Sequence, residues 1–71
     1  MRHELKSPVT GSLWMHCAGV GQKVYAGNQV LILESMKMEI PIESPVDGTV
    51  LELAAPGTVV NEGDVVAVIE D

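Results

Sequence analysis

Apolar residues along this chain fall in short blocks separated by glycine, proline and acidic positions. Val30-Leu31-Ile32-Leu33 and Val65-Val66-Ala67-Val68-Ile69 are continuous apolar runs. Gly11 to Met15 and Gly48 to Leu53 are apolar-rich segments entered from turn residues. Periodicity alone does not separate buried strand from buried helix in runs this short. Length and β-branching decide for strand, since valine and isoleucine number 11 and 4 in the chain and favour extended backbone. Gly27-Asn28 and Gly63-Asp64 mark turns before the two apolar runs, and Gly21 and Gly57 mark earlier ones. Pro8, Pro41, Pro45 and Pro56 stand where a helix interior would be broken.

The pattern occurs twice. Ser7-Pro8-Val9-Thr10-Gly11 returns as Ser44-Pro45-Val46-Asp47-Gly48. Gly21, Val24, Gly27, Val30 and Glu34 return as Gly57, Val60, Gly63, Val66 and Glu70, at an offset one residue shorter. The second half is therefore one residue shorter, somewhere between Gly48 and Gly57. Neither half buries its own apolar face, so the two are expected to pack on each other. The expected fold is all-β with no substantial helix: a flattened β-barrel or sandwich of two small, interleaved antiparallel sheets with pseudo-two-fold symmetry. Residues 1–71 read as one such domain. Glu34-Ser35-Met36-Lys37-Met38-Glu39 lies between the repeats as a hairpin connection with Lys37 at its tip. The termini are expected close together at the other end.

Composition narrows the function. A chain of 71 residues buries a marginal core and leaves little room for a substrate cleft, so a self-sufficient enzyme is not expected. A net charge of −6 makes nucleic acid and anionic membrane surfaces poor partners. No apolar run approaches the roughly 20 residues of a membrane span, and Met1 to Lys6 lacks the apolar stretch of a secretory signal. Cys17 is the only cysteine, which excludes an intrachain disulfide and a four-cysteine zinc site. Both facts suit a reducing cytosol, and a cytoplasmic location is expected.

Lys37 is the outstanding candidate for chemistry. An exposed lysine usually does no more than solvate a turn. Here it lies at the repeat junction between two methionines, and exposed Met-Lys-Met at a tight turn spends apolar area that a soluble domain otherwise hides. The methionines have two readings, a recognition surface or core packing at the hairpin base. An extended hairpin would put both on the face opposite Lys37. His16-Cys17 is a weak candidate, because neighbours on a strand point apart. Cys17 reads as a small core residue. A soft-metal site from His16, Cys17, Met36 and Met38 is chemically conceivable but needs the hairpin to meet the first-half strand. Gly19-Val20-Gly21 with Lys23 is a fragment of a phosphate loop, and turn glycines explain it. No catalytic residue and no metal ligand is assigned.

The run Glu34-Ser35-Met36-Lys37-Met38-Glu39 resembles the attachment motif of biotinyl domains, the carrier domains of biotin-dependent carboxylases, whose usual core is Ala-Met-Lys-Met. The resemblance extends from about Pro8 to Glu70 and includes the Gly-x-x-Val-x-x-Gly spacing of both halves. Related lipoyl carriers share the fold but place Asp before the lysine and Ala after it. Ser35 replaces the usual Ala, a small change. The halves differ by one residue, so the protruding thumb of some bacterial carriers is absent, as is the Ala/Pro-rich linker. The chain resembles a free-standing short carrier or a domain trimmed from a carboxylase, and Met1 favours the former.

The resemblance implies covalent biotin on Lys37, attached by biotin protein ligase. Glu34, Ser35, Met36, Met38 and Glu39 would serve as recognition residues, and biotin carboxylase and carboxyltransferase would be the further partners. A lysine near pKa 10.4 has roughly one amine in a thousand or fewer neutral at pH 7. Glu34 and Glu39 are expected to favour the ammonium form further, so an external ligase must deprotonate and orient Lys37. The amide removes one positive charge and takes −6 to −7. A lipoyl-type carrier and an unmodified interaction or soft-metal module are the alternatives.

Overall fold

The computed structural model describes residues 1–71 and contains eight strands and no helix: β1 (Arg2–Lys6), β2 (Gly11–His16), β3 (Lys23–Val24), β4 (Gln29–Ser35), β5 (Met38–Glu43), β6 (Gly48–Leu53), β7 (Val59–Val60) and β8 (Val65–Glu70). There is thus no helix long and apolar enough to cross a membrane. Four of these strands match the apolar segments of the sequence: β6 has the same bounds, and β2, β4 and β8 extend past theirs by one or two residues. β1 and β5 were not legible as apolar blocks, because each is an edge strand with charged or proline residues at alternate positions. Pro41 sits in β5, where one side of the strand has no ladder to donate to.

The strands form two four-stranded antiparallel sheets, ordered β1-β8-β6-β3 and β5-β4-β2-β7. In each sheet one half of the chain supplies the two central strands and the other half both edges, so the halves are interlocked. Reciprocal backbone bonds repeat the arrangement: Gly21 N–H donates to Val50 O, and Gly57 N–H donates to Leu13 O. Ser7 and Ser44 occupy matching buried positions, each hydroxyl donating to the carbonyl two residues on. Gly21, Gly27, Gly57 and Gly63 all lie at φ between 87° and 90°, the left-handed region open to glycine at least cost.

Both halves carry the same ladder irregularity, Trp14 in β2 and Leu51 in β6. Cys17 N–H matches Ala54 N–H in its bond to the β4 or β8 carbonyl, whereas Gln22 N–H to Gly19 O matches Thr58 N–H to Ala55 O. The extra residue of the first half is therefore Ala18, whose N–H shares the Val30 carbonyl with that of Cys17.

The core lies between the sheets. Leu13, Val24, Val30, Leu31 and Leu33 from the first half meet Val50, Val60, Val66, Ala67 and Ile69 from the second. Ile40 and Ile42 close its edge from β5. Cys17 is exposed, against the expectation of a core residue. β2 ends at His16, the chain bends there, and Ala18 takes the buried place. The termini do meet, with the Met1 ammonium 2.9 Å from Asp71 Oδ1.

Candidate functional site

β4 and β5 form a hairpin in which Ser35 pairs with Met38, leaving Met36 and Lys37 as a two-residue turn. Glu34 and Ser35 are the last residues of β4, and Met38 and Glu39 the first of β5. The connection is shorter than the six residues set apart in the sequence. Met36 has φ 52° and Lys37 φ 63°. Positive φ at both central residues is the signature of a type I′ turn, which normally selects Asn-Gly. Left-handed backbone costs a side-chain-bearing residue about 1–2 kcal/mol. Neither Met nor Lys relieves that cost, so these residues are not chosen for turn stability.

This turn also corrects the geometry expected of the methionines. Positions 36 and 37 are not extended, so simple alternation does not apply. Met36 is 89 % exposed and Met38 59 % exposed, and neither belongs to the core. The core-packing reading is therefore excluded. Lys37 is exposed and takes part in none of the ion pairs, which are all at the chain ends. Glu34 and Glu39 face each other across the ladder instead of pairing with Lys37.

Two features hold the hairpin to the body. Ser35 Oγ donates to Thr10 O at 2.8 Å, linking the end of β4 to the loop before β2. Gly11 lets β4 approach, since a Cβ there would collide with the Glu34 carbonyl and meet Ser35 Cβ at 3.0 Å. Gly48 does the same against Glu70 at the symmetry-related place. The sequence marked Gly11 and Gly48 only as the matched glycines that open the two apolar-rich segments. Close approach is their role, visible once the strands are paired.

The other candidates separate. His16 Nε2 lies 2.6 Å from Ala54 O, bridging the two halves. His16 pairs with Leu31, four residues along β4 from Ser35, or about 13 Å at the rise of a strand. The soft-metal set is therefore not assembled, and no group of three or more His, Cys, Asp or Glu residues is placed to hold a metal ion. Gly19 to Gln22 is a turn, with no helix after it.

A site of this kind has no nucleophile–base pair and no enclosed cleft around Lys37. It offers an exposed amine on a rigid hairpin, suited to carrying an acyl group. Residues 3–69 match the family model described as Biotin-requiring enzyme. The Biotin/lipoyl attachment protein of Bacillus subtilis (strain 168) is 47 % identical over 58 residues, covering 80 % of each chain. Urea amidolyase of Saccharomyces cerevisiae is 40 % identical over 65 residues, 90 % of this chain and 4 % of that protein. The crystal structure of Kluyveromyces lactis urea carboxylase superposes with a TM-score of 0.93 at 38 % identity, over 99 % of this chain and 6 % of that one. The chain thus spans a small fraction of the large carboxylase-type relatives and most of the short bacterial one. Its interlocked sheets, its lysine hairpin and a family match along nearly its whole length place the chain in the biotinyl/lipoyl attachment family.

Proposed function

We propose that Lys37 is the residue that carries covalent biotin, and that the chain, acting as one domain, is a carboxyl carrier for a biotin-dependent carboxylase. The observation that carries this reading is the Met36-Lys37 turn. It holds a lysine free of ion pairs at φ 63°, between exposed methionines, at an energetic cost that turn formation alone does not require. Lys37 Nζ fits the group, because amide formation needs an accessible amine and no enclosing pocket. A biotin protein ligase would supply biotinyl-adenylate. The neutral amine attacks the acyl carbon, AMP leaves, and the amine loses a proton as the amide forms.

When attached, biotin supplies a ureido nitrogen that accepts and releases a carboxyl group. This chain's part is mechanical. The two sheets give a rigid base, the αL turn sets the root of the arm, and Glu34, Ser35, Met36, Met38 and Glu39 form the surface that the ligase, the biotin carboxylase and the carboxyltransferase would read. The reading places this work in the cytoplasm.

Incubation with biotin protein ligase, biotin and ATP tests it. The intact mass should rise by one biotin, and Lys37→Arg should stay unmodified, because it keeps the charge but not the nucleophile. Biotin on Lys6 or Lys23 would refute the assignment. Modification by a lipoyl ligase instead would make the chain a lipoyl carrier.

A further inference from the structure

The internal duplication supplies its own control, because the two sheets have the same backbone but different outer faces. On the first sheet the outward positions include Arg2, Glu4 and Lys6 of β1, Val68 and Glu70 of β8, Thr49, Leu51 and Glu52 of β6, and Lys23 of β3. Three cations and three carboxylates are interspersed there. Glu4 and Glu52 flank Val68 in a shallow groove, and Arg2 pairs with Glu70 at 3.7 Å.

The equivalent positions of the second sheet differ in one direction. Arg2 becomes Glu39, Glu4 becomes Pro41, Lys6 becomes Glu43, Leu51 becomes Trp14, Glu52 becomes Met15 and Lys23 becomes Val59. Thr49, Val68 and Glu70 keep their character as Ser12, Ile32 and Glu34. Pro41, Ile32 and Met15 stand in one row across β5, β4 and β2, with Trp14 bulged beside them. Trp14 is 47 % exposed, Met15 42 % and Val59 74 %. Glu34, Glu39 and Glu43 edge this row and have no ion-pair partner. The fold needs none of these replacements, since the other face is built on the same ladders without them. Every lysine and arginine except Lys37 sits on the first sheet.

We propose that the outer face of the β5-β4-β2-β7 sheet is a docking surface for the ligase that acylates Lys37, on a region of that enzyme with an apolar centre and an arginine- and lysine-rich rim. The inference rests on the biotin reading. Three observations select this occupant. The face runs without a break into the hairpin through Glu34 and Glu39. A lysine side chain is short, so an enzyme that acylates its amine must lie against the surface beside it. The face carries three carboxylates and no cation, which favours a cationic rim.

The test grafts residues that the fold already tolerates at the matching positions. Met15→Glu with Val59→Lys gives the second sheet the residues of the first, and Glu52→Met with Lys23→Val is the reciprocal control. For ligase-catalysed biotin transfer, the first pair should raise KM about tenfold with kcat unchanged, the mark of lost uniform binding. The control pair should stay within about twofold of wild type. Glu43→Lys alone should raise KM at low salt, and wild-type KM should rise between about 0.05 and 0.5 M salt.

A second readout does not depend on transfer. Trp14 is the only tryptophan. Fluorotryptophan-labelled Lys37→Arg chain should show a shifted or broadened fluorine resonance on addition of ligase. Wild-type KM for the grafted pair with an unmoved resonance overturns the docking face while acylation of Lys37 stands. An equal KM rise in the control pair also overturns it. If wild-type chain is not acylated at all, the biotin reading fails and the docking face, which rests on it, falls with it.

Discussion

Single residues carry the exposed chemistry and the close packing at the hairpin. Gly11 is needed because β4 passes where its Cβ would be, and Gly48 because of β8. Gly11→Ala and Gly48→Ala should each destabilise by about 1–3 kcal/mol, the usual cost of overpacking, measurable as a lower urea midpoint. Only Gly11→Ala should also slow biotin transfer, because only Gly11 underlies the lysine hairpin. Met36→Leu and Met38→Leu should leave the melting temperature nearly unchanged, since both side chains are exposed. They should slow ligation or carboxyl transfer, because a branched side chain fits thioether-shaped pockets less well. The Met-Lys-Met run was legible as a candidate site because its residue types conflict with an exposed tight turn. Its φ angles were not, since Met and Lys carry no signal for left-handed backbone. The fate of Cys17 was equally hidden, because a one-residue insertion decides whether position 17 or 18 turns inward.

At the level of strands, stability and presentation are separable. Val30 and Val66 are matched core positions at 0 % and 1 % exposure, so Val30→Ala and Val66→Ala should each cost about 1–3 kcal/mol. A loss at one with none at the other would contradict the duplicated core. The turn behaves in the opposite sense. Met36→Asn relieves left-handed strain and should stabilise by about 1 kcal/mol while impairing ligation. Where β1 meets β8, hydrogen bonds from the Met1 ammonium and then from His3 hold the Asp71 carboxyl below the ordinary carboxylate range. A depressed carboxylate pKa gives stability that is present above the unfolded value and lost as pH falls through the folded one. Amide protection at that strand end should therefore decline as pH drops below about 4, with no matching loss at Ser35–Met38. The central strands were readable because burial on the inner face demands apolar residues. The edges β1 and β5 were not, because solvent on one side lets Arg2, Glu4, Pro41 and Glu43 interrupt the pattern.

The whole molecule is two copies of one motif that differ in the residues on the outer faces of their sheets. The repeat offset was enough to infer two packed halves and a lysine at their junction. It also pointed to interleaved sheets, but not to which strands each sheet borrows: both edges come from the other half, through pairings between residues far apart in sequence. Duplication also explains how a small chain affords a strained turn: the core is symmetric and complete without it, so apo chain should fold, with β-type circular dichroism before and after modification. The attachment reading itself is tested most directly by the intact mass and fragment spectrum of the protein purified from its own cells. One biotin on Lys37, lost in Lys37→Arg, is the expected result. A lipoyl group on that lysine, biotin on another lysine, or a chain unmodified in cells that biotinylate other carriers would contradict it.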